Sequence, residues 1–194
     1  MLVITGCARS GTKYIRTLLW RLGLAVGHER CLCDGIVSWT LLNHERSKME
    51  VGVTDVHQRT DKVFHQVRHP LKVIASAHHT LSGASYRIMG EVFELPTGSK
   101  LLQLMRYWVE WNKRVEDFSI WRYRIEALPS IFEEFCDRCG VAVDHEILEK
   151  LPTNVNSRTY DAFTWDDLSS EDAELTKEIQ LLATQYGYKD EATL

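Results

Sequence analysis

The residues best suited to chemistry lie near the start of the chain, where a loop of small residues runs from Gly6 to Gly11 and carries one cation, Arg9. The loop follows a short apolar run, residues 2–5, and precedes apolar residues at helical spacing. A loop placed between a strand and a helix binds anions, because its N–H groups and the positive end of the helix point at the same space. The guanidinium of Arg9 adds a charge that suits phosphate or sulfate oxygens. The sequence therefore predicts an anion-binding loop.

The nucleotide-binding P-loop pattern fits this loop only in part. Gly6 and Gly11 have the required gap, but Thr12 and Lys13 stand in the reverse order of the lysine and hydroxyl residue that the pattern needs. The lysine that reaches the terminal phosphates and the hydroxyl that holds magnesium are thus misplaced. A tight turn between strand and helix that binds nothing remains an alternative interpretation.

A second group of candidate residues follows a predicted strand at residues 63–67. Arg68 stands at the end of that strand, Pro70 suits the first position of a helix, and Ser76 lies about two turns into it. A short strand at residues 24–26 is followed by His28 and Glu29. Ligands of open α/β sheets bind outside the carboxyl ends of the strands, so these side chains and the loop are expected at one edge.

Together the two stretches resemble the family of sulfotransferases that use 3′-phosphoadenosine 5′-phosphosulfate (PAPS) as sulfuryl donor. The phosphosulfate loop of that family has Lys or Arg, then Ser-Gly-Thr, and an aromatic residue two positions later, and its counterpart here is the stretch 9–14. The 3′-phosphate site of the family is an Arg at a strand end with a Ser eight residues on, which Arg68 and Ser76 match. The C-terminal third is matched only loosely.

The resemblance implies roles for individual residues. Arg9 would stabilise the departing nucleotide, Tyr14 would stack on adenine unless it is simply a core residue of the helix, and Arg158 would replace a glycine-rich C-terminal loop that is not found here. The product of the donor would be adenosine 3′,5′-bisphosphate. The predicted cofactor-binding residues are Cys7, Ala8, Arg9, Ser10, Gly11, Thr12, Lys13, Tyr14, Arg68, Ser76 and Arg158.

Transfer to a hydroxyl or amine also requires a base that removes the proton of the acceptor. The family uses either a glutamate after the second strand or a histidine after a later one. Glu29 sits in the first arrangement and is our assignment, with His57 and His28 as alternatives. No metal is needed, because the cations are arginines and a lysine.

Composition and pattern predict the fold that must position these groups. The 194 residues suit a single domain, 1–194, and 44% hydrophobic residues suffice for its core. We expect an α/β protein with three layers, α/β/α, a parallel sheet and a topology like that of P-loop NTPases. Residues 36–43 are predicted to be helical, residues 82–100 to form an irregular acceptor-binding loop, and a last helix to begin at Ser169 or Ser170.

Charge and composition also limit the classes of partner that the sequence predicts. The net charge of −4 shows no basic footprint of a nucleic-acid binder, and no apolar run approaches the length of a membrane span. With no apolar leader before the first strand, we expect a cytoplasmic protein whose acceptor is a carbohydrate or small molecule. A zinc site made by Cys31, Cys33, Cys136 and Cys139 is the weaker interpretation of the cysteines, the last two being simpler as core residues. The rival functions are a small-molecule kinase using ATP and magnesium, and a nucleotide-binding module without catalysis.

Overall fold

The computed structural model describes residues 1–53, 55, 58, 60, 62–152 and 161–188. Five parallel strands form one sheet in the order β2-β3-β1-β4-β5. The strands are β1 (Leu2–Thr5), β2 (Val26–His28), β3 (Gly35–Ser38), β4 (Val63–Val67) and β5 (Trp121–Arg124). The helices are α1 (Thr12–Arg21), α2 (His44–Val51), α3 (Pro70–Thr80), α4 (Gly83–Gly90), α5 (Lys100–Glu116), α6 (Phe132–Cys139), α7 (His145–Glu149), α8 (Trp165–Glu171) and α9 (Ala173–Gln185), with a 3₁₀ helix at Ile125–Ser130.

Helices cover both faces of this sheet, which confirms the predicted three-layer α/β/α fold. Successive side chains of a strand point to opposite faces. Ile4 accordingly packs in a buried cluster with residues of α1 and α6, whereas Val3 packs on the other face near α2. Farther along that other face, α3 and α9 pack against α5, whose aromatic side chains are buried as their helical spacing predicts.

The helices that follow β1 and β4 leave the sheet on opposite faces. Helix α1 packs against β2 and β3, while α3 packs against α5 on the other side. Because β1 and β4 are neighbours, the chain opens a crevice between their carboxyl ends, which is where ligands of open α/β sheets bind. Within the described residues, no helix is long and apolar enough to cross a bilayer.

One element predicted as a helix is a strand. Residues 36–43 begin inside β3, where Ile36 and Val37 point to opposite faces and are both fully buried. A central strand of a parallel sheet is covered on both faces, so it shows no alternation and its apolar run can be mistaken for a helix. The charged residues after it form α2, which begins where Asn43 accepts a hydrogen bond from the Arg46 N–H.

Three other boundaries differ from the prediction. Strand β2 includes His28 itself, two residues beyond the predicted end. The stretch 82–100 contains α4 and is therefore not irregular throughout. The last helical region is divided into α8 and α9, because the Asp172 side chain accepts from the Leu175 N–H and starts a new helix there.

A buried polar pair joins β4 to α5. The Nε2 of His65 lies 2.9 Å from the Asn112 Oδ1, and the Asn112 amide donates to the Trp108 carbonyl, so Nε2 carries the proton. The other ring nitrogen, Nδ1, is buried with no partner among the described residues. Protonation would place an unpaired charge there, and burial accordingly lowers the pKa of His65 to about 4.

This pair predicts a loss of stability in acid. With a folded-state pKa of about 4 against 6.5 when unfolded, the unfolded chain binds more protons, so stability falls as the pH drops below about 6.5. We expect His65→Gln to remove on the order of 2–3 kcal/mol of this loss between pH 7 and pH 4, measured by urea unfolding. The exposed His145→Gln is the control, and equal pH dependence in the two variants would contradict the assignment.

Candidate functional site

The loop between β1 and α1 is pressed against the end of β4. A methyl group at Gly6 would lie 2.2 Å from the Gln66 carbonyl oxygen, so only glycine fits. Arg9 (φ 72°) and Gly11 (φ 98°) are both left-handed, which turns the chain sharply before α1 begins at Thr12. The turn leaves the N–H groups of Gly11, Thr12 and Lys13 without a hydrogen bond to the described part of the chain.

Two side chains at the end of β4, one in the strand and one directly after it, hold two carbonyl groups of this loop. The Gln66 amide donates to the Ser10 carbonyl (2.7 Å), and the Gln66 oxygen accepts from the Tyr123 hydroxyl of β5 (2.8 Å). The Arg68 guanidinium donates to the Arg9 carbonyl (3.0 Å). Since both carbonyls are turned toward β4, the unbonded N–H groups remain as the polar groups of the loop that an anion can use.

A side chain of helix α5 also contacts the loop. The Ala8 N–H donates to the Tyr107 hydroxyl (2.8 Å), and both residues are buried. Burial raises the pKa of Tyr107 well above its usual range, so the hydroxyl stays protonated at every pH at which the protein is expected to be folded. This contact fixes the start of the loop to the core.

The two predicted anion-binding stretches meet. The Arg9 Nε donates to the hydroxyl of Ser76, at 2.9 Å, and Ser76 is almost fully buried on α3. Arg68 contacts the same loop residue through its carbonyl group. Residues separated by more than sixty positions are thus joined at the carboxyl edge of β1 and β4.

At the end of β2, His28 and Glu29 lie beside the start of α1. The His28 Nε2 is 3.1 Å from the Thr12 hydroxyl, and its Nδ1 is 3.7 Å from a Glu29 carboxylate oxygen. Burial lowers the pKa of His28, the Glu29 charge opposes that shift, and the nearby cations Lys13 and Arg16 add to it. The imidazole is therefore neutral at neutral pH.

Glu29 is held in an uncommon conformation. Its backbone is left-handed (φ 54°), and its carboxylate accepts a hydrogen bond of 2.6 Å from the Trp39 indole N–H. The side chain is 39% exposed, so the carboxylate remains open to a ligand. A strained residue with an anchored side chain indicates a position fixed for function.

These groups line a cleft of about 260 Å³ that we call the loop cleft. It brings together nine of the predicted site residues, with Trp39, Leu81 and Ser85 beside them. Its lining comprises Ala8, Arg9, Gly11, Thr12, Lys13, Tyr14, His28, Glu29, Trp39, Arg68, Leu81 and Ser85.

The other predicted site residues lie elsewhere. Ser10 and Cys7 are buried beneath the loop, and burial raises the pKa of the Cys7 thiol to about 12, so no thiolate is available. Ser76 reaches the loop cleft only through Arg9. His57 and Arg158 lie outside the described residues, and their assigned roles stay predictions.

The two cysteine pairs do not share a site. Cys136 and Cys139 are buried in the cluster beneath α1 and α6, as their spacing predicts for core residues. Cys31 packs in the cluster on the other face of the sheet, where its thiol contacts the Met1 sulfur. Among the described residues there is no group of three or more His, Cys, Asp or Glu side chains that could hold a metal.

Three residues of this region had no assigned role in the sequence. Gln66 interrupts an apolar strand, and a buried polar residue in a central strand was the signal that could have identified it. Tyr107 lies in a helix whose aromatic residues are mostly core, so its hydroxyl gave no separate signal. No spacing in the sequence distinguished Trp39 from the other aromatic residues.

Comparisons with models of known protein families, with curated proteins and with solved structures yield no match to this chain. The residues of the loop cleft therefore carry the functional assignment.

Removal of the Tyr107 hydroxyl tests whether it holds the loop. We expect Tyr107→Phe to lower the free energy of unfolding by about 1–3 kcal/mol, because the buried Ala8 N–H loses its acceptor, and to accelerate hydrogen exchange of that amide. Tyr86→Phe is the matched control, since the Tyr86 hydroxyl is buried without a partner in the described chain. Equal losses in both variants would show that the hydroxyl contact contributes nothing specific.

Proposed function

We propose that this protein is a sulfotransferase that moves a sulfuryl group from PAPS to a hydroxyl or amine acceptor. The observation that carries the proposal is the meeting of the two motif stretches, in which Arg9 contacts Ser76 and Arg68 contacts the Arg9 carbonyl. PAPS carries anionic groups at its 3′ and 5′ positions, and a ligand with two separated anions needs two adjacent cation sites. The loop cleft has both in one place.

Sulfuryl transfer is favoured by positive charge close to the departing nucleotide. Sulfuryl transfer breaks the bond between sulfur and the bridging oxygen, and negative charge grows on that oxygen. The Arg9 cation and the N–H groups of Gly11, Thr12 and Lys13 would stabilise this charge more in the transition state than in the ground state. Arg68 has five N–H donors, of which the described contacts use one, and would bind the 3′-phosphate, while Ser76 would act through Arg9, whose Nε donates to its hydroxyl.

Glu29 would act as the general base. The carboxylate lines the same cleft as Arg9, and the Trp39 indole fixes one of its oxygens, so the other can accept the proton of an acceptor hydroxyl. His28 stands beside it as a neutral imidazole bonded to Thr12 and is kept as an alternative base.

The geometry favours this proposal over a kinase that binds ATP and magnesium. Strand β3, the neighbour of β1, ends at Ser38 rather than at a carboxylate. The Glu50 carboxylate reaches that strand end, but its two oxygens accept from the Ser38 and Thr40 hydroxyls. A non-catalytic nucleotide-binding module would keep the cation pair and would not depend on Glu29.

Ligand-induced stabilisation tests the donor. We expect adenosine 3′,5′-bisphosphate at 100 times its dissociation constant to stabilise the protein by about 2.7 kcal/mol, with a matching rise in melting temperature, and ATP–magnesium to give less. In Arg68→Ala the shift should be largely lost, because a phosphate contact is removed.

Arg124→Ala is the control for that loss, since Arg124 stands at the end of the neighbouring strand β5. Each shift is measured against the same variant without ligand, which separates binding from any change in basal stability. A larger shift with ATP–magnesium would point to the kinase instead.

Substitution of Glu29 distinguishes an enzyme from a binding module. We expect Glu29→Gln to lower kcat about 10²–10⁴-fold, because the amide cannot accept the proton, while the affinity for adenosine 3′,5′-bisphosphate changes little. The exposed Glu45→Gln serves as control for loss of one negative charge. If Glu29→Gln keeps full activity and either His28→Asn or His57→Ala loses it, the base is the histidine whose substitution abolishes activity.

A further inference from the structure

A second cavity adjoins the loop cleft. It has a volume of about 290 Å³ and shares Lys13 and His28 with the loop cleft. We call it the basic cavity, and its lining consists of Lys13, Arg16, Thr17, Gly27, His28, Arg30 and Leu32. Three of these seven residues are cations, and none carries a carboxylate.

The backbone around Gly27 brings these cations together. A methyl group at Gly27 would lie 1.7 Å from the Arg30 carbonyl oxygen, so the chain after β2 folds back onto the strand at this glycine. The left-handed Glu29 makes the return possible. Arg30 therefore lies opposite the first turns of α1, which supply Lys13 and Arg16.

The cations of the basic cavity have no acidic partner among the residues that the structure describes. Within the described residues, no ion pair involves Lys13, Arg16 or Arg30. The Nε of Arg16 is buried and has no hydrogen-bond partner in the described chain, although its guanidinium lies 4.6 Å from the centre of the Trp20 ring. Lys13 and Arg30 are exposed and Arg16 is half-buried, so the cavity presents positive charge to solvent and is complementary to an external anion.

We propose that the basic cavity binds the anionic group of the acceptor, so that the acceptor is a carboxylate- or sulfate-bearing sugar or similar small molecule. This inference rests on the proposed function, because it assigns the adjacent loop cleft to the donor. An acceptor seated there would have its anion on Arg30 and Arg16 and its reacting hydroxyl toward His28 and Glu29, at the boundary of the two cavities. Guanidinium groups bind carboxylate and sulfate through paired N–H donors, which accounts for two arginines in the lining.

The test compares methyl β-glucuronide with methyl β-glucoside, which differ only in a carboxylate against a hydroxymethyl group. Each is titrated into the protein by NMR, with and without saturating adenosine 3′,5′-bisphosphate, and the amide signals of Thr17, Gly27 and Leu32 are followed. We expect the glucuronide to bind and the glucoside not to bind. The affinity for the glucuronide should be the same with and without the nucleotide. Arg30→Gln should weaken it about five- to tenfold, since a charge-assisted contact is lost at an exposed residue.

Arg114→Gln is the matched control, because Arg114 is exposed on α5 at the other face of the sheet and carries the same charge. Equal binding of the two sugars, equal weakening by both substitutions, or displacement of the glucuronide by the nucleotide would overturn the proposal. If the nucleotide does not bind while the glucuronide binds in an Arg30-dependent way, the sulfotransferase proposal fails and the basic cavity stands as an anion site.

Discussion

The clamp on the loop after β1 is the constraint on which the rest of the site depends. The Gln66 amide and the Arg68 guanidinium turn two loop carbonyls toward β4, and the Tyr107 hydroxyl fixes the Ala8 N–H. Loop N–H groups bind an anion more tightly when they are already oriented toward the site before binding. A loop that must first become ordered loses part of its binding free energy to that ordering. Gln66 and Tyr107, which do not line the loop cleft, therefore act only through the backbone of the loop, whereas Arg68 also lines the cleft.

The sheet topology explains why residues of the loop cleft that are distant in sequence lie close together. The chain leaves β1 and β4 on opposite faces, so α1 and α3 diverge and the strand ends between them stay uncovered. Arg9 comes from the first of these strand ends, and Arg68 and Ser76 from the second. The net charge of −4 does not oppose the proposed anionic ligand, because the field in a cleft depends more on the few charges that line it than on the net charge.

The parts of the fold and of the loop cleft that could be predicted from the sequence are those encoded by patterns of neighbouring residues. The loop from Gly6 to Gly11, the strand before Arg68 and the helix after Pro70 are local patterns, and the structure has them where they were predicted. Strand β3 was missed because burial on both faces removes the alternation that identifies a strand, and its place between β2 and β1 is a tertiary fact. Contacts such as Tyr107 to Ala8, 99 residues apart, have no local signal at all.

The end of β2 shows how one short turn can serve two cavities. Gly27 lets the Arg30 carbonyl lie close to the strand, and the consecutive residues Glu29, whose backbone is left-handed, and Arg30 line different cavities. Glu29 lines the loop cleft with its carboxylate on Trp39, whereas Arg30 lines the basic cavity. If Glu29 is the base and Arg30 binds the acceptor's anionic group, as proposed, this turn would set the distance between that group and the reacting hydroxyl. Acceptor selectivity would then follow from backbone geometry as much as from charge.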